Sequence, residues 1–137
     1  MAALPARHPA LGRAEPLRLD GLVDEDLIVY PKAPRPSYAD QVLSLFRGRG
    51  LKPASVHEVR ELQTALGLVA AEAGVCVVPA SVERLRRDNV VYRPLDGEGA
   101  VSPIIMSCRK DDRSPEIACL LELVQAVYRR DGVEFGA

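Results

Sequence analysis

The sequence predicts an α/β protein, a mostly parallel sheet with helices on both faces. Three observations predict it. Two short, wholly apolar runs, residues 27–30 (LIVY) and 75–78 (VCVV), are each closed by a proline and read as buried strands. Between them Leu62, Ala65, Leu66, Val69, Ala70 and Ala73 recur at helical spacing, the stripe of an amphipathic helix ended by Gly74. Strand and helix signals keep alternating along the chain, which favours parallel pairing through helical crossovers. With 137 residues there is material for one domain and one modest core.

The elements follow in order. Residues 1–4 are apolar and stop at Pro5 and Pro9, and a polar stretch runs on to Glu15. Leu17, Leu19, Leu22 and Val23 are spaced like a short turn or helix leading into the 27–30 strand. After Pro31, Pro34 and Pro36 exclude helix and demand a loop. Ser37 takes the N-cap of the next helix, with Asp40 in capping-box register. Tyr38, Val42, Leu45 and Phe46 form its stripe, and Gly48 and Gly50 stop it. Residues 55–59 alternate as a strand, ahead of the helix from Leu62 and the 75–78 strand. Ser81 caps a short helix reaching Arg87. Residues 90–95 read as a strand, which Pro94 confines to an edge or an end. Residues 96–99 make a turn and 104–108 are a further strand candidate. Ser114 and Pro115 open a last helix with the stripe Ile117, Leu120, Leu121, Val124, Val127 and Tyr128, ended by Gly132.

Composition narrows the function. The chain is 47% apolar and 27% charged, ordinary for a soluble protein, and 18 basic against 19 acidic residues leave a net charge of −1. Its one dense basic cluster, Arg84, Arg86 and Arg87 beside Asp88, reads as a solvated helix end, so DNA binding by this chain alone is not expected. Cys76, Cys108 and Cys119 are odd in number, widely spaced and far from His8 and His57, so no metal is expected. Cys76 and Cys108 fall in apolar strand-like runs, where a thiol acts as a small hydrophobe, the pattern of a reduced, cytoplasmic protein. No apolar run approaches the ~20 residues of a membrane span. The opening MAALPARH lacks the basic and then apolar regions of a secretion signal. GxSxG, P-loop, GxGxxG and HExxH motifs are all missing, so neither an enzyme nor a cofactor is expected. Glu58 and Glu61 flank a strand–helix junction, where a carboxylate meets the helix dipole favourably, and His57 reads as a surface residue.

Binding geometry is more telling. Open α/β sheets hold ligands beyond the carboxyl ends of their strands, at loops entering helices. Two junctions fit, residues 30–38 (YPKAPRPSY) and 59–64 (VRELQT). At the first, free amides of a helix start with the hydroxyls of Ser37 and Tyr38 make a carboxylate cradle, and Lys32 or Arg35 adds attraction at a distance. Leu62 and an aromatic ring would cover the apolar part of the ligand. The competing structural reading is that Ser37 merely caps its helix, Tyr38 staples it to the core, and Asp40 repels an anion.

Taken together these segments resemble LysR-type transcriptional regulators. The strongest match is residues 62–81 (LQTALGLVAAEAGVCVVPAS), supported by LPARHP at 4–9, LIVYPKAPRPSY at 27–38 and VVYRPL at 90–95. The pattern is similar to the aromatic-catabolism branch, the muconate- and benzoate-responsive regulators. The resemblance implies a Rossmann-like, flavodoxin-like lobe of the periplasmic-binding-protein type II fold. It implies a partial effector-binding domain over 1–137, with 12–102 as the second lobe. Residues 1–11 and 103–137 would be crossover strands and a C-terminal helix that belong with an absent first lobe. Pro36 and Tyr38 match the proline and aromatic that line the effector site, Leu62 an apolar residue starting the next helix, and Ile104 one on the returning strand. Ser37 and Gln63 are their neighbours and offer amides or side chains. Tyr128 matches a last-helix tyrosine of a second aromatic-acid pocket, whose other walls lie in the absent lobe. The family often has phenylalanine at position 38 and glycine at position 72, where Glu72 is expected on a helix.

The function implied is effector sensing: a small aromatic acid or muconate-like dicarboxylate controls transcription of catabolic genes. The expected partners are that carboxylate effector and a second copy of the chain in a dimer, with no membrane. DNA would be met only through an N-terminal winged helix-turn-helix absent here. The alternative is a stand-alone structural or dimerisation module without a ligand, and an enzyme on a flavodoxin-like sheet would need a nucleophile or acid–base pair at the strand ends.

Overall fold

A computed structural model describes residues 1–12, 16–96, 100–102, 107–112, 114–130 and 132. The chain divides into two units, Met1–Ser102 and Pro103–Ala137.

The first unit is built on a five-stranded sheet. Its strands are β1 (Ala2–Pro5), β3 (Asp26–Val29), β4 (Ser55–Glu58), β5 (Val75–Val77) and β6 (Val90–Arg93), in the order β4-β3-β5-β1-β6. β3 pairs in parallel with β4 and β5, whereas β1 runs antiparallel to both β5 and β6. Four strands therefore point one way, as expected, and the apolar segment at residues 2–5 is inserted against them. Residues 2–5 thus supply an inner strand of this sheet. A second, two-stranded parallel pair joins β2 (Leu17–Arg18) to β7 (Leu95–Asp96). Pro94 cannot donate to a ladder, so the 90–95 run breaks there into β6, an edge strand, and β7.

Alternation along the strands divides the core in two. Ala2, Leu4, Leu27, Val29, Val75 and Val77 face α1 (Tyr38–Gly48), whose Ala39, Val42 and Phe46 are buried on them. Ala3, Ile28, Cys76 and Val78 point the other way, onto Ala65, Leu66 and Val69 of α2 (Leu62–Ala70). Both faces of β3 and β5 are apolar because both are covered. Each large side chain buried this way contributes roughly 1.5–3 kcal/mol. At the edge, β4 keeps Val56, His57 and Glu58 exposed.

Two expectations are corrected at the helix ends. The helix from Leu62 stops at Ala70, and the chain turns back through Ala73, whose N–H donates to the Leu68 carbonyl at 3.0 Å. Glu72 is therefore not helical; its φ of 60° lies in the left-handed region, the conformation a glycine adopts without strain. The short helix after Pro79 is a 3-10 segment, Ala80–Leu85. Arg84, Arg86 and Arg87 are exposed there, as a solvated helix end requires.

The second unit contains α3 (Pro115–Arg130), preceded by Ser114, whose N–H donates to Asp112 Oδ1 at 3.0 Å. Glu116 in its first turn and Arg129 and Arg130 in its last complement the helix dipole. No residue of α3 is buried; Leu120, Leu123 and Val127 are 45, 60 and 38% exposed. Of the 104–108 strand candidate, residues 104–106 lie outside the described residues, and Ser107 and Cys108 are in no strand. Cys108 is exposed, against expectation, while Cys76 is buried. Within the 96–99 turn, residues 97–99 also lie outside the described residues.

Candidate functional site

The strand directions decide where a ligand meets this sheet. Val29, Glu58, Val77 and Arg93 end their strands at the edge where Ala2 begins β1, and α1 and α2 start there too. Helix starts with their unpaired amides are thereby gathered at one end.

The loop into α1 is tied down at every few residues. The peptide bonds before Pro31, Pro34 and Pro36 are cis. The Lys32 N–H donates to the Val59 carbonyl at 2.8 Å, joining this loop to the one after β4. Ser37 occupies the N-cap, and its N–H donates to Asp40 Oδ2 at 2.7 Å. Its hydroxyl lies 3.1 Å from the Pro31 carbonyl, which it can serve as donor. Ser37 thus holds the loop as well as the helix. The Ser37 N–H first, and after it the Arg35 charge, hold the Asp40 carboxyl below its ordinary value against an opposing effect of burial.

Arg35 has three partners. It donates to Asp40 Oδ1, to Glu58 Oε1 at 2.6 Å and to the Lys32 carbonyl at 3.2 Å. Its charge, expected to attract a ligand, is engaged by two carboxylates of the chain itself. Glu58 is accordingly a structural ion-pair partner.

Tyr38 opens α1 and its ring stands 5.5 Å from that of Tyr30, tilted by 41°. Burial pushes both phenols well above their ordinary value, so both stay neutral donors. Beside Tyr38 lies a cavity of about 400 Å³ between α1 and the ends of β5 and β6. Gln41, Val42 and Leu45 continue its wall along α1, facing Val77, Val78, Pro94 and Leu95. Among the described residues, no charged side chain lines it. Such a cavity suits the apolar body of a ligand and leaves an ionised group to be held elsewhere.

Of the described residues expected at the site, Tyr38 is the one that lines this cavity. Pro36 is exposed on the loop and Ser37 half-buried at the helix start. Leu62 begins α2 and packs with the cluster on the opposite face, and Gln63 beside it is exposed. Ile104 lies outside the described residues. Tyr128 is on α3, in the second unit. Gln41 and Leu45 were missed, although they stand on the helical face that Tyr38 opens.

Other chemistry is quickly weighed. His57 meets both Ser55 Oγ and Asp26 Oδ1 at 3.1 Å, but through the same Nε2, in contacts exposed to solvent. A relay needs the two ring nitrogens on different partners, so this trio does not pass a proton from serine to carboxylate. Burial pushes the Cys76 thiol up to about 12, the opposite of an activated nucleophile. Among the described residues no group of three or more His, Cys, Asp and Glu stands together to hold a metal ion. Among them also, no helix is long and apolar enough to cross a membrane.

A helix-covered sheet with a ligand-sized cavity at its strand ends defines a class, the periplasmic-binding-protein type II-like modules. The chain matches the BenM effector-binding domain solved with its effector benzoate, with a TM-score of 0.92 and 36% identity over 99% of this chain and 62% of that one. Residues 1–129 match the model of the LysR substrate binding domain, and the chain belongs to that family. It is 50% identical over 126 residues to the probable cat1 operon transcriptional activator of Acinetobacter lwoffii, covering 92% of this chain and 41% of that protein. It is 48% identical over 124 residues to the transcriptional regulator CatR of Pseudomonas putida, covering 90% of this chain and 42% of that one. The chain thus spans less than half the length of these curated relatives.

Proposed function

We propose that the chain is the ligand-sensing portion of a LysR-type transcription regulator, one that binds a small aromatic acid or a muconate-like dicarboxylate and catalyses no reaction. One observation carries this reading: Tyr38, at the mouth of α1, opens onto a largely apolar cavity at the strand ends. Membership of the family and the likeness to a domain solved with benzoate support it. Pro36, Ser37 and Tyr38 would form one wall, with Leu62 and Gln63 across the sheet edge and Ile104 on a returning strand. Tyr128 would belong to a second pocket. Residues 12–102 would be the second lobe, and 1–11 and 103–137 would connect with a first lobe. Occupancy would act by favouring one arrangement of lobes or subunits, which requires differential affinity for the two. DNA would be reached through a separate winged helix-turn-helix, in the cytoplasm.

The test is calorimetric titration of benzoate and cis,cis-muconate into the chain and into a form carrying both lobes. Saturable binding to the two-lobe form that is lost in Tyr38→Ala and weakened in Ser37→Ala is expected. Absence of heat with both ligands in both forms would favour a structural or dimerisation module instead. The exposed apolar residues of α3 are the observation on that side, and they also suit a homodimer.

A further inference from the structure

We infer that Arg35 is a positioning residue of this sensor, one that offsets one of the two carboxylate charges at the start of α1 so that an anionic ligand can approach it. The inference rests on the ligand-binding reading above. One guanidinium joins three segments: its own proline loop, the first turn of α1 through Asp40, and the end of β4 through Glu58. A third hydrogen bond, to the Lys32 carbonyl, fixes the loop's own path. All three side chains remain about one-third exposed, at 33, 37 and 36%, so the cluster faces the solvent through which a ligand arrives.

The charges explain why the cation is needed there. Asp40 sits in the first turn because its carboxylate accepts the Ser37 N–H, which holds the helix start in shape. That same carboxylate repels any anion drawn to the remaining amides of the helix start. Glu58, at the end of β4, adds a second negative charge. Arg35 lets the chain keep the helix-capping carboxylate while weakening its field, because the guanidinium donates through Nη1 to Asp40 Oδ1 and through Nη2 to Glu58 Oε1 and leaves Asp40 Oδ2 to Ser37. Lys32, whose backbone is tied to Val59, is the exposed cation left on this loop.

Ligand charge separates this role from simple loop support. Muconate carries two negative charges and benzoate one, so removing the compensating cation penalises muconate more. In the two-lobe form, Arg35→Gln is expected to weaken cis,cis-muconate by about tenfold and benzoate by roughly threefold at low salt. Adding Asp40→Asn restores most of the loss, since asparagine still accepts the Ser37 N–H but carries no charge. Arg35→Lys keeps the charge without the fork and is expected to keep the ratio of the two affinities near that of the unmodified protein. Equal losses for both ligands that Asp40→Asn does not restore overturn the inference, as does a muconate affinity untouched by Arg35→Gln. If the unmodified protein binds neither ligand, the sensing reading itself fails before any substitution is made.

Discussion

Replacing Gly74 by alanine tests the packing of the sheet at its tightest point. Gly74 enters β5 with φ of +149°, and a β-carbon there would stand 2.2 Å from the Asp26 carbonyl oxygen and 3.1 Å from its carbonyl carbon. The obstructing atoms are backbone, and they belong to β3, which is held on both sides by β4 and β5. No flexible side chain can move aside. The unusual backbone conformation costs about 1–3 kcal/mol for a non-glycine residue. Forcing extra volume into a packed site costs another ~1–3 kcal/mol. The expected loss is therefore about 2–6 kcal/mol, against a total stability of roughly 5–15 kcal/mol for a domain of this kind. Urea unfolding followed by circular dichroism measures it as a lower midpoint at unchanged slope. Two other glycines calibrate the scale. Gly50 has φ of +66° with nothing within 4 Å, so Gly50→Ala should cost only ~1–2 kcal/mol. Gly48, at the end of α1 with nothing within 4 Å, should tolerate alanine or gain up to ~1 kcal/mol. A Gly74→Ala loss no larger than that of Gly50→Ala would refute the close backbone approach.

Further outcomes follow from the same structure. Glu72→Gly should stabilise the protein by up to ~1 kcal/mol, read from the urea midpoint, because glycine takes a φ of 60° without a β-carbon clash. With an aromatic disulfide at pH 8, Cys108 and Cys119 should react in the folded protein and Cys76 only after denaturation, since burial raises its thiol to about 12. Asp40 is held below its ordinary value of 3.8, so its contribution is complete above that pH and is lost as the pH falls toward the depressed folded value. Asp40→Asn should accordingly flatten the acid limb of the stability profile, measured by melting temperature between pH 5 and pH 3 as a smaller proton uptake on unfolding. Leu123→Glu on α3, where Leu123 is 60% exposed, should shift sedimentation toward the monomer if this face joins two copies, and a monomeric parent protein would sink that proposal.

The sequence made the parallel part of the sheet legible because its signals are local. Residues 27–30 and 75–78 are apolar on both faces, and the stripes of α1 and α2 sit between them in the order a crossover needs. The antiparallel insertion of β1 was not legible, because Ala2 and Ala3 find their partners at Val77, Cys76, Tyr92 and Arg93, far along the chain. Glu72 read as helical because a helix period does not report the sign of φ. Cys108 sits in an apolar run yet is exposed, since a run alone does not say what covers it. At the site, Tyr38 could be picked out by its place at a helix start after a proline loop. The walls opposite it, Val77, Val78, Pro94 and Leu95, come from segments that only folding brings near. The pairing of Arg35, expected with Lys32 to attract a ligand at a distance, was not legible because Glu58 lies far along the chain.

The place of β1 also sets how this unit must assemble. β3, α1, β4, α2 and β5 can pair in chain order, β4 meeting β3 one crossover on and β5 then taking the other edge of β3. β1 lies between β5 and β6, so this strand must wait for residues 90–93 before both its edges are satisfied. Long-range closure of this kind raises contact order and slows folding. The gap between β5 and β6 is thus the last part of the sheet to close. Until it does, the edge of β1 that β6 covers stays open to another chain, the kind of edge that invites misassembly.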